Sequence, residues 1–122
     1  MIILEPGTKC GDKNIALFKA LINKNGPEHQ VKVAIGEIGE FLTLYGRSGS
    51  GRDTLEEWVD EIADLLITAN QMAVLAGIPS VLTRINHKLG KLEKRLESGE
   101  FDDEKPALAI VTRYKEQEDG VD

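Results

Sequence analysis

What this sequence has little of settles its class before any motif does. One cysteine, Cys10, stands among 122 residues, so no intrachain disulfide framework is possible and a packed core must hold the fold. No apolar run marks a membrane-spanning helix. The opening Met1-Ile-Ile-Leu-Glu-Pro6 lacks the basic start and long apolar run of a secretory leader, which makes the cytoplasm the expected compartment. Positive charge is in deficit, with 15 Lys and Arg against 21 Asp and Glu, for a net charge of −6. Eight acids and three bases fall between Glu100 and Asp122, so the acidity is mostly a tail and the body is near neutral. Such a body has no broad basic footprint, and neither nucleic acid nor a membrane is an expected partner. Internal repeats and low-complexity segments are also missing.

With 41% apolar residues the chain suits one domain with one modest core, and its periodicity is helical. Residues 1–12 read as an irregular or extended lead-in with a turn at Pro6-Gly7. A first helix is expected from about Lys13 to Lys24, capped by Asp12 or Asn14, with Ile15, Phe18, Leu21 and Ile22 inward. Asn25-Gly26-Pro27 ends it and starts a second, to about Tyr45, whose apolar stripe is Val31, Ala34, Ile35, Ile38, Phe41, Leu42 and Tyr45. The third begins after Asp53 or Thr54, both at capping-box spacing from a glutamate, and runs to about Ala76. Its stripe is Leu55, Val59, Ile62, Leu66, Ala69 and Ala73. A fourth, from Pro79 to about Glu97, pairs an apolar stripe (Val81, Leu82, Ile85, Leu89, Leu92, Leu96) with a basic row, Arg84, Lys88, Lys91 and Arg95. The expected fold is therefore all-α, a helical hairpin bundle of about four helices in residues 1–99. Residues 100–122 form an acidic tail in which 107–112 could dock as a strand or short helix and 115–122 is expected to be disordered.

Chemistry concentrates between Glu37 and Asp64. Glu37-x-x-Glu40 and Glu61-x-x-Asp64 are pairs of acids at i, i+3, about 60° apart around a helix and about 4.5 Å apart along it. The short connection Gly46 to Asp53 makes the second and third helices antiparallel neighbours. Both pairs are rotated in the same sense from their apolar stripes, and reversing one helix brings equal offsets to one side of the hairpin. The depths agree, at roughly 11 Å and 13 Å from the turn. Four carboxylates at one level repel strongly unless a hard divalent cation joins them. Gly36 and Gly39 each cost roughly 1 kcal/mol against alanine within the second helix, a cost that a close helix or a ligand would justify. The glycine-rich connection Gly46 to Arg52 lacks the Gly-Lys-Ser/Thr ending of a phosphate loop and follows a helix. Neither His29 nor His87 lies three residues after a glutamate, so the Glu-x-x-His pattern of di-iron bundles is missing. Phe41, Tyr45 and Trp58 read first as core or interface aromatics.

Glu37-x-x-Glu40, the helix-loop-helix gap, Glu61-x-x-Asp64-Leu65-Leu66, Ala76-Gly77-Ile78 and Asn86-x-Lys88 together resemble the MazG-like all-α nucleoside triphosphate pyrophosphohydrolases, over roughly residues 28–95. The resemblance implies Mg²⁺-dependent cleavage between the α and β phosphates, with Mn²⁺ as a substitute. It implies Glu37, Glu40, Glu61 and Asp64 as metal ligands and catalytic residues, and Asn86, Lys88 and Lys91 as phosphate contacts, with Arg95 of the same basic row as a further substrate-binding residue. Gly36 departs from the pattern, because some relatives place another acid before the first ligand; the number of metals and the identity of the general base stay open. Phosphoribosyl-ATP is an alternative substrate of the same chemistry. The reading from another class is a non-catalytic interaction module with solvated acids, and the basic row fits phosphate binding and surface solubilisation about equally. A homodimer or homotetramer is expected, because Val33, Leu44 and Leu75 lie on or near the acid side and ask for a partner surface.

Residues 115–122 carry acids, a glycine and no apolar periodicity, so their removal is expected to leave the melting temperature and any turnover nearly unchanged. Aggregation of the shortened chain would refute that.

Overall fold

Thr8 starts the helical structure. Its Oγ1 accepts from the Gly11 N–H at 3.0 Å, while the Asp12 carboxylate accepts from the Gly7 N–H at 3.0 Å, and this reciprocal pair fixes the first turn. Helix α1 accordingly spans Lys9–Asn25 and begins four residues before the expected Lys13. Asp12 braces the cap from inside the helix rather than being the cap. The computed structural model describes residues 7–47 and 54–103. The expected lead-in at 1–6, the connection at 48–53 and the tail from 104, with its docking segment at 107–112, lie outside the described residues.

Gly26, with φ of 87°, adopts the left-handed conformation that ends α1, and Pro27 then opens α2 (Pro27–Gly46). Of the two possible caps for α3 (Leu55–Ala76), Thr54 is used: its Oγ1 accepts from the Glu57 N–H at 3.1 Å. Gly77, at φ 106°, closes α3 and turns the chain into α4 (Ile78–Glu97), which leaves at 117° to the direction of α3. All four described elements are helices, as expected, and no single described helix is long and apolar enough to cross a membrane.

The α2–α3 hairpin is the body of the molecule, braced at both ends. Near the turn Leu44 and Trp58 are buried together beside Phe41 and Leu55, with the Phe41 and Trp58 rings edge to face at 5.7 Å. At the open end Phe18 of α1 packs on Ala73, with Val74, Ile78 and Val81 around them. Between these clusters the buried Gln30 side chain donates to the buried Gln71 side chain. Moving fourteen residues along α2 from Gln30 reaches Leu44, and moving thirteen back along α3 from Gln71 reaches Trp58, so both contacts keep one antiparallel register. Helix α4 touches α3 but not α2 and buries no residue fully.

One expectation is reversed. Much of the stripes read as inward-facing on α2 and α3 looks outward, with Ile35 64% exposed, Leu42 60% and Leu66 56%, whereas Phe41, Leu55 and Ala73 of those stripes do pack inward at the two ends. The hairpin closes instead along the line of Gln30, Glu37 and Leu44, so Leu44, expected to await a partner, is buried within the chain and Val33 and Leu75 are half-buried. Two helices in contact along one seam can bury only that seam.

Buried amides paired with one another contribute little net stability, whereas an orphaned one costs about 1–3 kcal/mol. Gln71→Met alone should therefore destabilise the protein by about that amount in denaturant titration, and adding Gln30→Met should recover most of the loss.

Candidate metal centre

The register set by Gln30 and Gln71 carries the acids with it. Seven residues on from Gln30 is Glu37, and seven back from Gln71 is Asp64; ten on is Glu40, and ten back is Glu61. Glu37, Glu40, Glu61 and Asp64 each offer a carboxylate oxygen, and these oxygens lie within 4.8 Å of one another. The two pairs of acids seen in the sequence thus converge. Glu37 and Glu61 are half-buried at the seam, while Glu40 and Asp64 are exposed at its rim.

Burial without compensation dominates the electrostatics. Desolvation, then sharing of a proton with Glu61, then the charges of Glu40, Asp64 and Glu61 push the Glu37 carboxyl up to about 7. Glu61 is raised as well, first by desolvation and then by the charges of Glu40 and Asp64, against the opposing hydrogen bond with Glu37. Glu37 Oε2 and Glu61 Oε1 are buried and find no hydrogen-bond partner. Two buried carboxyl oxygens without partners, facing two more carboxylates, form an all-oxygen donor set that fits a hard divalent cation such as Mg²⁺.

A cleft of about 610 Å³ opens beside the cluster. Glu40 and Glu61 form its end at the seam; Gly36, Gly39 and Thr43 line α2; Asp60 and the Arg47–Glu57 ion pair, at 2.7 Å, line the remainder. Among the described residues, nothing beyond α2's own backbone lies within 4 Å of where a Cβ would stand on Gly36 or Gly39, so neither glycine marks a described helix crossing. Side chains there would project into the cleft. Sequence reading missed Asp60 and the pairing of Arg47 with Glu57. The spacing Gly36, Gly39, Thr43 at i, i+3, i+7, on the side of Glu40, was the available signal.

Asn86, Lys88, Lys91 and Arg95 do not join the carboxylates or line this cleft. All four are exposed on α4, and Arg95 is turned to the helix end, where its Nε donates to Glu100 at 2.7 Å and its guanidinium lies 4.8 Å from the Phe101 ring centre. His29 and His87 are exposed and outside the cluster, and Trp58 is a core residue. No protein-family model, curated protein or solved structure matches the chain.

Glu37 fixes the sign of a pH effect. Its carboxyl is at about 7 when folded against an ordinary 4.5, so between these values the native state holds more protons than the unfolded chain and stability falls as pH rises. In chelator, the melting temperature should drop by several degrees from pH 5 to pH 7.5, and by much less in Glu37→Gln. Millimolar Mg²⁺ at pH 7.5 should restore it.

Proposed function

We propose that the chain is a Mg²⁺-dependent nucleoside triphosphate pyrophosphohydrolase of the MazG-like all-α type, working on the nucleotide pool of the cytoplasm. The observation that carries this is the convergence of four carboxylates from two helices, two of them with buried oxygens that lack partners, at the mouth of an open cleft. A structural ion pair or a solvated surface does not call for that arrangement, since four like charges held together destabilise the apo fold.

In this reading Glu37, Glu40, Glu61 and Asp64 hold Mg²⁺, which neutralises phosphate charge and polarises water when bound. Water cleaves the α–β anhydride: its oxygen bonds to the α phosphorus, the bond from the α phosphorus to the α–β bridging oxygen breaks, and pyrophosphate departs with that oxygen, leaving a nucleoside monophosphate. Glu40, exposed at the rim and facing the cleft, orients that water and receives its proton. Asn86, Lys88 and Lys91 contact phosphate oxygens that project beyond the seam, and Arg95, engaged by Glu100, serves the helix end instead.

Pyrophosphate release over a panel of canonical and modified nucleoside triphosphates, coupled to inorganic pyrophosphatase, tests the reading. Glu40→Gln and Asp64→Asn keep side-chain shape and should each reduce turnover by about a hundredfold or more. Lys88→Ala or Lys91→Ala should lower kcat/KM by about tenfold. Full activity in the two carboxylate variants, or no turnover of any triphosphate by the wild type with Mg²⁺, would sink it.

A further inference from the structure

We propose that the cleft beside the acid cluster is a nucleoside subsite that selects bases carrying an exocyclic amino group, with Asp60 as the residue that reads that group. The inference rests on the triphosphate hydrolysis proposed for the acid cluster and concerns the part of the substrate that does not react.

The cleft runs along the hairpin from the acid cluster toward the turn, with Glu40 and Glu61 at one end and the Arg47–Glu57 ion pair at the other. Glu40 and Arg47, the C-cap residue of α2, are seven residues apart, or about 10.5 Å of helix. A volume of about 610 Å³ falls in the range of small-molecule sites. Charge decides which part of a nucleotide enters. Among the described residues that line the cleft, four carboxylates, Glu40, Glu57, Asp60 and Glu61, stand against one cation, Arg47, and Glu57 already holds that cation at 2.7 Å. With Glu40 and Glu61 on the metal, Asp60 still leaves the remainder anionic, so phosphates are repelled from it. Helix α4, with its exposed cations, starts from the opposite end of the hairpin. A triphosphate held at the metal therefore extends its charged end toward α4 and its uncharged nucleoside into the cleft.

The walls indicate the base. Gly36 and Gly39 present bare helix where a flat ring can lie, since a Cβ on either would meet nothing within 4 Å. The polar groups around that floor accept rather than donate. Thr43 Oγ1 gives its hydrogen to the Gly39 carbonyl at 3.0 Å, so it offers the cleft only lone pairs. Both oxygens of Glu57 are engaged, Oε2 by Arg47 and Oε1 by the Thr54 hydroxyl at 3.2 Å. Asp60, about one turn farther along α3, has no hydrogen-bond or ion-pair partner among the described residues. Its carboxylate is the acceptor for the amino group of adenine, cytosine or guanine. A carbonyl in the same place, as in uracil, would set lone pairs against lone pairs, a mismatch that a polar site rejects far more strongly than a missing methylene.

The test is kcat/KM of the full chain with Mg²⁺ over matched triphosphates that differ at that group, CTP against UTP and ATP against purine riboside triphosphate. In the wild type the amino-bearing member of each pair should be favoured by about tenfold or more, the worth of one good base contact. Asp60→Asn keeps side-chain shape but turns half of the acceptor into a donor, and should collapse the preference for CTP over UTP. Glu56→Gln, exposed at the start of α3 and outside the cleft, should preserve it. Gly39→Leu fills the open floor without a clash, and should raise KM for ATP and CTP several-fold while leaving competitive inhibition by inorganic tripolyphosphate unchanged. Triphosphates turned over equally within each pair overturn the subsite and leave the reaction standing. So do a preference that survives Asp60→Asn, an unchanged KM in Gly39→Leu, and tripolyphosphate inhibition lost in that variant, which would put the phosphates in the cleft. Turnover of no triphosphate overturns the reaction and the subsite together.

Discussion

The structure turns on one unfavourable placement: four carboxylates set in or beside the seam through which two helices must pack. Burial raises Glu37 and Glu61, each also feels the charges of Glu40 and Asp64, and no described cation neutralises the group. Apolar contact must be found elsewhere along the seam, and it is found at its ends. Leu44 and Trp58 close the hairpin beside the turn, and at the other end Phe18 of α1 clamps Ala73 next to the Gln30–Gln71 pair, which joins the helices without adding charge. The strong ends hold a weak centre in register. A site that binds a cation has this shape because ligands are useful only if they remain converged while the cation is absent, and mutual repulsion alone would splay them.

The acid cluster was legible in the sequence because it follows from two periods. Helical rotation puts Glu37 beside Glu40 and Glu61 beside Asp64, and antiparallel reversal puts both pairs on one side. The number of residues to the turn fixes their level. None of this depends on which groups are buried. The caps at Thr54, Gly26 and Gly77 were legible for a similar reason, being local chemistry. The start of α1 was misread because Thr8, Asp12 and Asn14 are all acceptable caps, and a reciprocal bond to the Gly7 N–H decides among them only in three dimensions.

Two things were not legible. The direction of α4 depends on backbone angles around Gly77, so a row of cations visible in the sequence could not be placed relative to the seam. Inward and outward sides were also exchanged along the middle of the hairpin, though not at its ends, where Phe41, Leu55 and Ala73 pack inward as read. An apolar stripe signals burial, but hydrophobic burial is non-directional and does not say whether the covering surface comes from the same chain. Val31, Ile35 and Ile38 carry the stronger apolar pattern, so they were read as the core. Leu44 and Trp58, interrupted by acids on the same side, carry a weaker one and are the pair that closes the hairpin.

That exchange gives the hairpin a division of labour. At 100° per residue, the apolar stripe centres about 120° from the seam on one side, while Gly36, Thr43 and Asp60 lie about 100° from it on the other. Whatever covers the stripe therefore leaves the cleft open. It also braces α2 and α3 from behind, along the length where Glu37, Glu40, Glu61 and Asp64 provide no cohesion of their own. The glycines make sense in the same frame: Gly36 and Gly39 weaken α2 on the side that lines the cleft, and Ile35, Ile38 and Leu42, interleaved with them in sequence, give that helix an opposite face able to restore the lost stability through packing.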